Sequence, residues 1–401
     1  MKYIVILGDG MADEPIAELG GKTPLQYART PAMDEIARLG VSGMLSTVPE
    51  GFLPGSEIAN MVVLGYDVSK EFEGRGSLEA ASMGVVIADD EMAMRCNLIC
   101  IENGRIKNHS AGHISTEEAE VLIAALQKEL GGELFTFHSG VSYRHLLLMK
   151  GGCKHLLCTP PHDVPGTPFV DVMIQPQSHE AEATAKKLNE LILKSQQILE
   201  NHPINMARRE AGKDVANSIW LWSAGYRPCM RTLTERYGFA SGAVISAVDL
   251  IKGIGVYAGL EPIEVEGATG LADTNYEGKA LAAIEALREK DFVFLHVEAS
   301  DEAGHEGNVA LKVKTIEDLD ARIVQPILRA VQAWDEPVAI AVLPDHPTPC
   351  RIKTHTRDAV PFVIYNPMQK PDDVAFYSEV DARGGAYGFI EGEEFMQRFI
   401  Q

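Results

Sequence analysis

Three aspartates and three histidines stand where short apolar runs give way to polar loops. Asp9 follows Ile4-Val5-Ile6-Leu7, Asp301 follows the run from Phe292 to Val297, and Asp345 follows Val338 to Leu343. In open α/β sheets ligands bind at the carboxyl ends of the strands, so each carboxylate falls on that rim. One aspartate in such a place more often caps a turn than binds anything. Three at equivalent places are harder to dismiss. Asp301 and His305 form D-x-x-x-H, Asp345-His346 is a direct pair, and His355 follows downstream. Each pattern is weak alone, but neutral imidazole with carboxylate is the donor set of first-row divalent metals. Gathered at strand ends, these six side chains are enough for two metal ions sharing one cleft.

Ser56 supplies a nucleophile. In Pro54-Gly55-Ser56-Glu57 the Pro-Gly pair forces a turn, and Ile58 to Leu64 reads as a helix. The hydroxyl therefore lies near a helix N-terminus, whose amides favour anions. A serine hydroxyl is inert at neutral pH until a base or a metal activates it. From local sequence alone, a plain N-cap serine explains this position equally well.

The elements that must position these residues follow α/β grammar. β-branched runs at Tyr3 to Leu7, Phe292 to Val297 and Val338 to Leu343 alternate with helical periodicity. Val313, Ile316, Ile323, Val324, Ile327, Leu328 and Val331 form one apolar stripe and predict a helix from Leu311 to Trp334. Ser115-Thr116-Glu117-Glu118 opens another helix with a capping box and Gly131-Gly132 closes it; a third runs from about His179 to Leu199. Between them the texture changes to short runs at Leu146 to Met149 and Leu156 to Cys158, then a Pro-rich loop from Thr159 to Gly166. This marks an inserted α+β domain at residues 92–220, with 1–91 and 221–401 as the core.

Composition excludes other classes. The 401 residues are 46% hydrophobic and 23% charged, enough apolar mass for a proper core. A formal charge of −21 repels a phosphate backbone, which argues against nucleic acid and turns attention to bound cations for any anionic substrate. The six cysteines show no metal-module spacing and read as reduced thiols. The N-terminal apolar stretch is too short for a signal peptide or membrane span, so a cytoplasmic protein without membrane contact is expected; the oligomeric state stays open. Two motifs are decoys. Gly21-Lys22-Thr23 lacks the earlier glycine of a P-loop, and Gly253-Ile254-Gly255 is not set between a clear strand and a helix.

In order along the chain, Val5-Ile6-Leu7-Gly8-Asp9-Gly10-Met11, Pro54-Gly55-Ser56-Glu57, Asp301 with His305-Glu306-Gly307, Pro344-Asp345-His346 and His355 resemble the metal and nucleophile motifs of the alkaline phosphatase superfamily. In closer detail the chain resembles the archaeal-type branch of cofactor-independent phosphoglycerate mutases. Supporting stretches include Leu19-Gly20-Gly21-Lys22-Thr23-Pro24-Leu25, Gly74-Arg75-Gly76, Ala111-Gly112-His113-Ile114-Ser115 and Glu266-Gly267-Ala268-Thr269-Gly270. The resemblance implies an alkaline-phosphatase-like core, a mostly parallel sheet flanked by helices, with the inserted domain as a substrate-covering lid. It also implies that Asp9, Ser56, Asp345 and His346 surround one metal and Asp301, His305 and His355 the other. Manganese is the usual family metal, with zinc, magnesium or cobalt admissible. Phosphoryl transfer would run through a phosphoserine at Ser56, interconverting 3- and 2-phosphoglycerate in glycolysis.

Where the archaeal mutases carry arginine this chain has His113, and where they read Gly-His-Arg it reads Tyr143-Arg144-His145. Arg75, His113, Arg144 and His145 are the candidates to hold the carboxylate or phosphate of a small phosphorylated acid; a surface ion pair is the rival role for the charged ones. Bacterial relatives proposed as homoserine kinases look closer to this chain in that region. A homoserine-kinase-like enzyme of threonine biosynthesis, a phosphatase, and an inactive metal-binding regulator therefore stand beside the mutase.

Overall fold

A computed structural model describes residues 1–401 as two compact units, Met1–Phe72 with Met230–Gln401, and Glu73–Cys229. The first unit is built on an eight-stranded sheet. Its strands, in spatial order, are Glu261–Pro262, Gly242–Ile245, Phe292–Val297, Lys2–Gly8, Val338–Leu343, Val360–Tyr365, Val41–Ser46 and Gly388–Glu391. Lys2–Gly8 runs parallel to both of its neighbours, and only Val360–Tyr365 pairs antiparallel. Phe292–Val297 and Val338–Leu343 are buried along their whole length, which is why they read as unbroken apolar runs and not as alternating patterns. Ile4, Ile6, Val293, Leu295, Ile340 and Val342 face one helical layer, where they meet Met33, Ile36, Leu287, Ile316 and Ile327.

Register fixes the rim. Leu7 lies level with His296 on one side and with Leu343 on the other. Asp9, Glu298 and Asp345 are therefore each two residues beyond one register line. Asp301 is not at a strand end but in the first turn of the helix Ala299–Glu306, four residues before His305 on the same face.

The stripe from Leu311 onward forms a helical path of three pieces: Val309–Leu319, a π turn at Asp320–Val324, and Gln325–Gln332. The sequence cue for the break is Pro326, whose missing N–H and ring are accommodated by the wider turn. Asp320, fully buried there, accepts from the backbone N–H of Ala32 (3.2 Å) and Met33 (2.7 Å) and so caps the helix Pro31–Leu39 from outside. The Gly253-Ile254-Gly255 decoy lies inside the helix Asp249–Tyr257, where a Cβ on Gly255 would meet Val244 Cγ1 at 2.5 Å; the glycine serves helix-to-strand packing.

The second unit carries an antiparallel sheet of Arg105–Asn108, Glu91–Glu102, Arg144–Lys150 and Phe135–His138, with Ser218–Gly225 also paired to Glu91–Glu102. Its helices Thr116–Leu130 and Glu182–Leu199 bury Leu122, Leu126, Leu188 and Ile192 against that sheet. Ser115 caps the first of them by accepting from Glu118 N–H at 3.2 Å. The division falls at 72/73 and 229/230 rather than at 91/92 and 220/221. The reason is the helix Arg75–Ser82, which packs on the Glu91–Glu102 strand through Gly76; a Cβ there would stand 2.5 Å from Ser223 O and 3.1 Å from Ala93 O. No helix is long and apolar enough to cross a membrane.

Candidate metal centre and nucleophile

The rim of the first unit gathers the six metal-type side chains. His346 is fully buried, with Nε2 3.4 Å from Asp345 Oδ2, 3.7 Å from Asp9 Oδ1 and 3.2 Å from Ser56 Oγ. Across from it, His305 Nε2 lies 3.1 Å from Asp301 Oδ2 and His355 Nε2 3.4 Å from Asp301 Oδ1. The His346 and His355 rings stack at 3.9 Å, and the two ligand groups meet there. Asp9, Asp345 and His346, and likewise Asp301, His346 and His355, bring donor atoms within 4.8 Å of one another.

Gly55, in extended conformation, is the N-cap of the helix Ser56–Val63, so the hydroxyl of Ser56 is not consumed as a cap. One turn on, buried Asn60 donates from Nδ2 to Ser56 O (2.8 Å) and to Asp345 Oδ2 (2.9 Å), tying the helix of Ser56 to the carboxylate. Asp345 Oδ1 accepts from Gly10 N–H (3.1 Å) and His346 N–H (2.8 Å). Gly10 has φ +59°, and a Cβ on it would sit 2.5 Å from Asp301 Oδ1, so only glycine lets this loop pass between the carboxylates. The Thr348 hydroxyl donates to Asp301 Oδ1 and lies 3.3 Å from His346 Nδ1, touching both ligand groups.

The residues present fit divalent cations. Asp9 is fully buried and its Oδ1 has no hydrogen-bond partner. Burial, then the charges of Asp345, Glu298 and Asp301, push its carboxyl well above the usual range. Burial also raises Glu298 to about 8 and lowers His346. Against burial, hydrogen bonds from His305 and His355 hold Asp301 below the usual range; Asp301 in turn lifts His305 to about 9. Crowded carboxylates beside imidazole nitrogens are what a bound cation relieves. His305 Nε2 and His355 Nε2 lie 2.9 Å apart, while their Nδ1 atoms face Lys353 O (3.0 Å) and Pro54 O (3.4 Å). Both rings thus present Nε2 to the same point.

Sequence reasoning missed His296 and Glu298, which with Asp9 form a third grouping of donor atoms. His296 hides inside an apolar run, and its signal is the strand register that sets it level with Leu7. It also missed Lys312, fully buried, whose Nζ donates to Ala12 O (3.1 Å), Asp13 Oδ2 (2.9 Å) and Thr348 O (2.8 Å).

The substrate candidates belong to the second unit. Arg75 opens its helix, and its backbone N–H donates to Ser223 Oγ at 3.1 Å. Arg144 is exposed, with its guanidinium 5.6 Å from the Tyr143 ring, and His113 is exposed at φ +52°. His145 differs from expectation. It is 2% exposed, its Nδ1 accepts from Gly140 N–H at 3.0 Å, and burial lowers it to about 4, so it is a neutral interior ring and not a charged clamp. Arg95, not anticipated, pairs with Glu79 at 3.0 Å and stacks 4.3 Å above Trp222.

Fold and site define a metal-dependent phosphotransferase. A family model described as 2,3-bisphosphoglycerate-independent phosphoglycerate mutase matches residues 37–205. A relative of that name from Methanosarcina acetivorans is 54% identical over the full length of both chains, and one from Thermococcus kodakarensis is 37% identical over 98% of this chain and 95% of its own. Among solved structures, a Pyrococcus horikoshii protein superposes with TM-score 0.83 at 32% identity, covering 100% of this chain and 96% of that one. The cofactor-independent phosphoglycerate mutase of Thermoplasma acidophilum gives 0.71 at 26% identity, covering 100% and 99%. The chain belongs to the 2,3-bisphosphoglycerate-independent phosphoglycerate mutase family.

Proposed function

We propose that the chain interconverts 3- and 2-phosphoglycerate by way of a phosphoserine at Ser56. The observation that carries the reading is the uncapped Ser56 hydroxyl, 3.2 Å from His346 Nε2, at a rim where three aspartates and three histidines converge. Asp9, Asp345 and His346 would hold one divalent cation beside Ser56; Asp301, His305 and His355 would hold a second, with manganese the metal we assign. Such cations neutralise charge on phosphoryl oxygens and lower the pKa of a nearby hydroxyl. Ser56 Oγ takes the phosphoryl group as the P–O bond to the substrate breaks, its own proton passing to the hydroxyl left behind. The reverse transfer to the other hydroxyl completes the isomerisation and restores Ser56. Asn60 holds the helix of Ser56 against Asp345, so nucleophile and ligand stay in fixed relation.

Arg75 and Arg144 are assigned to the substrate's carboxylate or phosphate, and residues 73–229 to covering it. A cytoplasmic setting belongs to the same reading, in keeping with six free cysteines. The deciding experiment loads the protein with Mn²⁺ and measures 3-phosphoglycerate conversion in parallel with nucleotide-dependent phosphorylation of homoserine. Conversion without homoserine phosphorylation supports the mutase; the opposite pattern overturns it.

A further inference from the structure

We propose that His296 is a positioning residue that grips Asp9 by one oxygen and reserves the other for a cation; this rests on reading Asp9 as a metal ligand. His296 stands in the strand Phe292–Val297, beside Lys2–Gly8, and is fully buried. A neutral imidazole offers one N–H donor and one bare nitrogen acceptor. On one side its Nδ1 lies 3.1 Å from Ser246 Oγ, just past the neighbouring strand Gly242–Ile245. That oxygen already accepts from Val248 N–H at 3.0 Å, so its own proton is available to His296 Nδ1. The imidazole proton then belongs on Nε2, 2.9 Å from Asp9 Oδ2. The chain of donors runs Val248 N–H to Ser246, Ser246 O–H to His296 Nδ1, and His296 Nε2–H to Asp9 Oδ2. It ends with Asp9 Oδ1 unpartnered and 3.7 Å from His346 Nε2.

The opposite tautomer sets a bare Nε2 lone pair against a carboxylate oxygen at 2.9 Å and leaves the Ser246 proton unused. His296 is thus built the other way round from the histidines of the centre. Nδ1 of His305, His346 and His355 faces Lys353 O, Thr348 Oγ1 and Pro54 O respectively, which frees each Nε2. His296 spends Nε2 on Asp9. Although Asp9, His296 and Glu298 cluster as a ligand set would, the proton inventory makes His296 an outer partner and not a ligand. Glu298 Oε2, 3.7 Å from Nε2, is too distant to compete for the proton, and Lys279 Nζ, 3.4 Å from His296 O, braces the backbone.

The first test needs no metal and no substitution in the observed sample: imidazole ¹⁵N NMR of the metal-free protein at alkaline pH, where Asp9 is a carboxylate, with the His296 signals assigned by their loss in His296→Gln. Protonated Nε2 and bare Nδ1 are expected; bare Nε2 overturns the proposal. The second measures Mn²⁺ binding by equilibrium dialysis. His296→Leu should weaken it by about 10- to 100-fold. His296→Gln, whose amide can still donate to Asp9, should recover most of that loss, and Ser246→Ala should weaken binding less than His296→Leu. Loss of one cation per chain in His296→Leu, with the remaining affinity unchanged, would make His296 a ligand of its own ion and overturn the proposal. Asp9→Asn separates the two levels: undiminished Mn²⁺ binding there refutes Asp9 as a ligand, whereas the NMR result reports on His296 regardless.

Discussion

Replacing Lys312 with methionine tests whether the loops of the metal centre are stapled from beneath. The ammonium group and Asp13 are both fully buried, 2.9 Å apart, and the same nitrogen also bonds Ala12 O and Thr348 O. Ala12 follows Asp9 in one loop and Thr348 follows His346 in another, so one side chain joins both. Methionine fills similar volume without a charge, leaving the Asp13 carboxylate and two carbonyls without this donor. Removing one partner of a buried pair costs about 3–5 kcal/mol. The lower end applies here, because Asp13 still accepts from Glu14 N–H (2.8 Å) and Cys350 N–H (3.0 Å). With a urea slope of roughly 3 kcal/mol per molar, the unfolding midpoint should fall by about 1 M. Mn²⁺ affinity should fall too, since both loops loosen. The double variant Asp13→Asn with Lys312→Met removes the stranded charge and should regain about half of the lost stability. A midpoint shift under about 0.3 M, with no coupling between the two sites, would refute the staple.

Ser56→Ala should abolish phosphoryl transfer while changing stability by less than about 1 kcal/mol, because Gly55 and not Ser56 is the cap; retained turnover sinks the phosphoserine route. Gly10→Ala should eliminate Mn²⁺ binding in a calorimetric titration, since the new Cβ meets Asp301 at 2.5 Å and φ is +59°; normal binding would contradict the loop's crowding. His145 gives a pH signature. Its folded pKa of about 4 lies below the unfolded value, so its contribution is complete above about pH 6.5 and is lost as pH falls toward 4. Between pH 7.5 and 5 the second unit should lose about 2 kcal/mol in urea unfolding, and His145→Gln should flatten that slope. Arg144→Ala should raise the ratio of free phosphate released to phosphoglycerate converted without altering Mn²⁺ affinity; unchanged kinetics would return Arg144 to a surface role.

What could be read in the sequence was what lies close along the chain. Asp345-His346, the spacing of Asp301 and His305, and the Pro-Gly turn before Ser56 are local patterns, and strand ends announce themselves by the switch from apolar to polar residues. Partners from distant segments gave no such signal. His296 sits in an apolar run and is explained only by Ser246 and Asp9, each brought beside it by strand pairing. Lys312 occupies a helix on whose pattern it looks like an ordinary polar-face residue, yet it is buried beneath two loops. His145 opens a stretch buried without break as far as Met149, so the signal that places it inside is the apolar run Leu146 to Met149 that follows it. The helix Arg75–Ser82 carried no sequence signal that tied it to the second unit; what assigns it there is the close approach at Gly76.

The central place of Lys2–Gly8 has a consequence for the order in which the chain can be made. Lys2–Gly8 pairs with Phe292–Val297 and Val338–Leu343, both far downstream of it in the chain. At about 5–20 residues per second, its first partner is synthesised roughly 15–60 seconds later. The second unit, contiguous from Glu73 to Cys229, has all its strands in hand well before then. Through that interval Ile4, Val5, Ile6 and Leu7 have no sheet to join. They end buried in the middle of the eight-stranded sheet, so four apolar residues must be kept from other partners until Phe292–Val297 has been made.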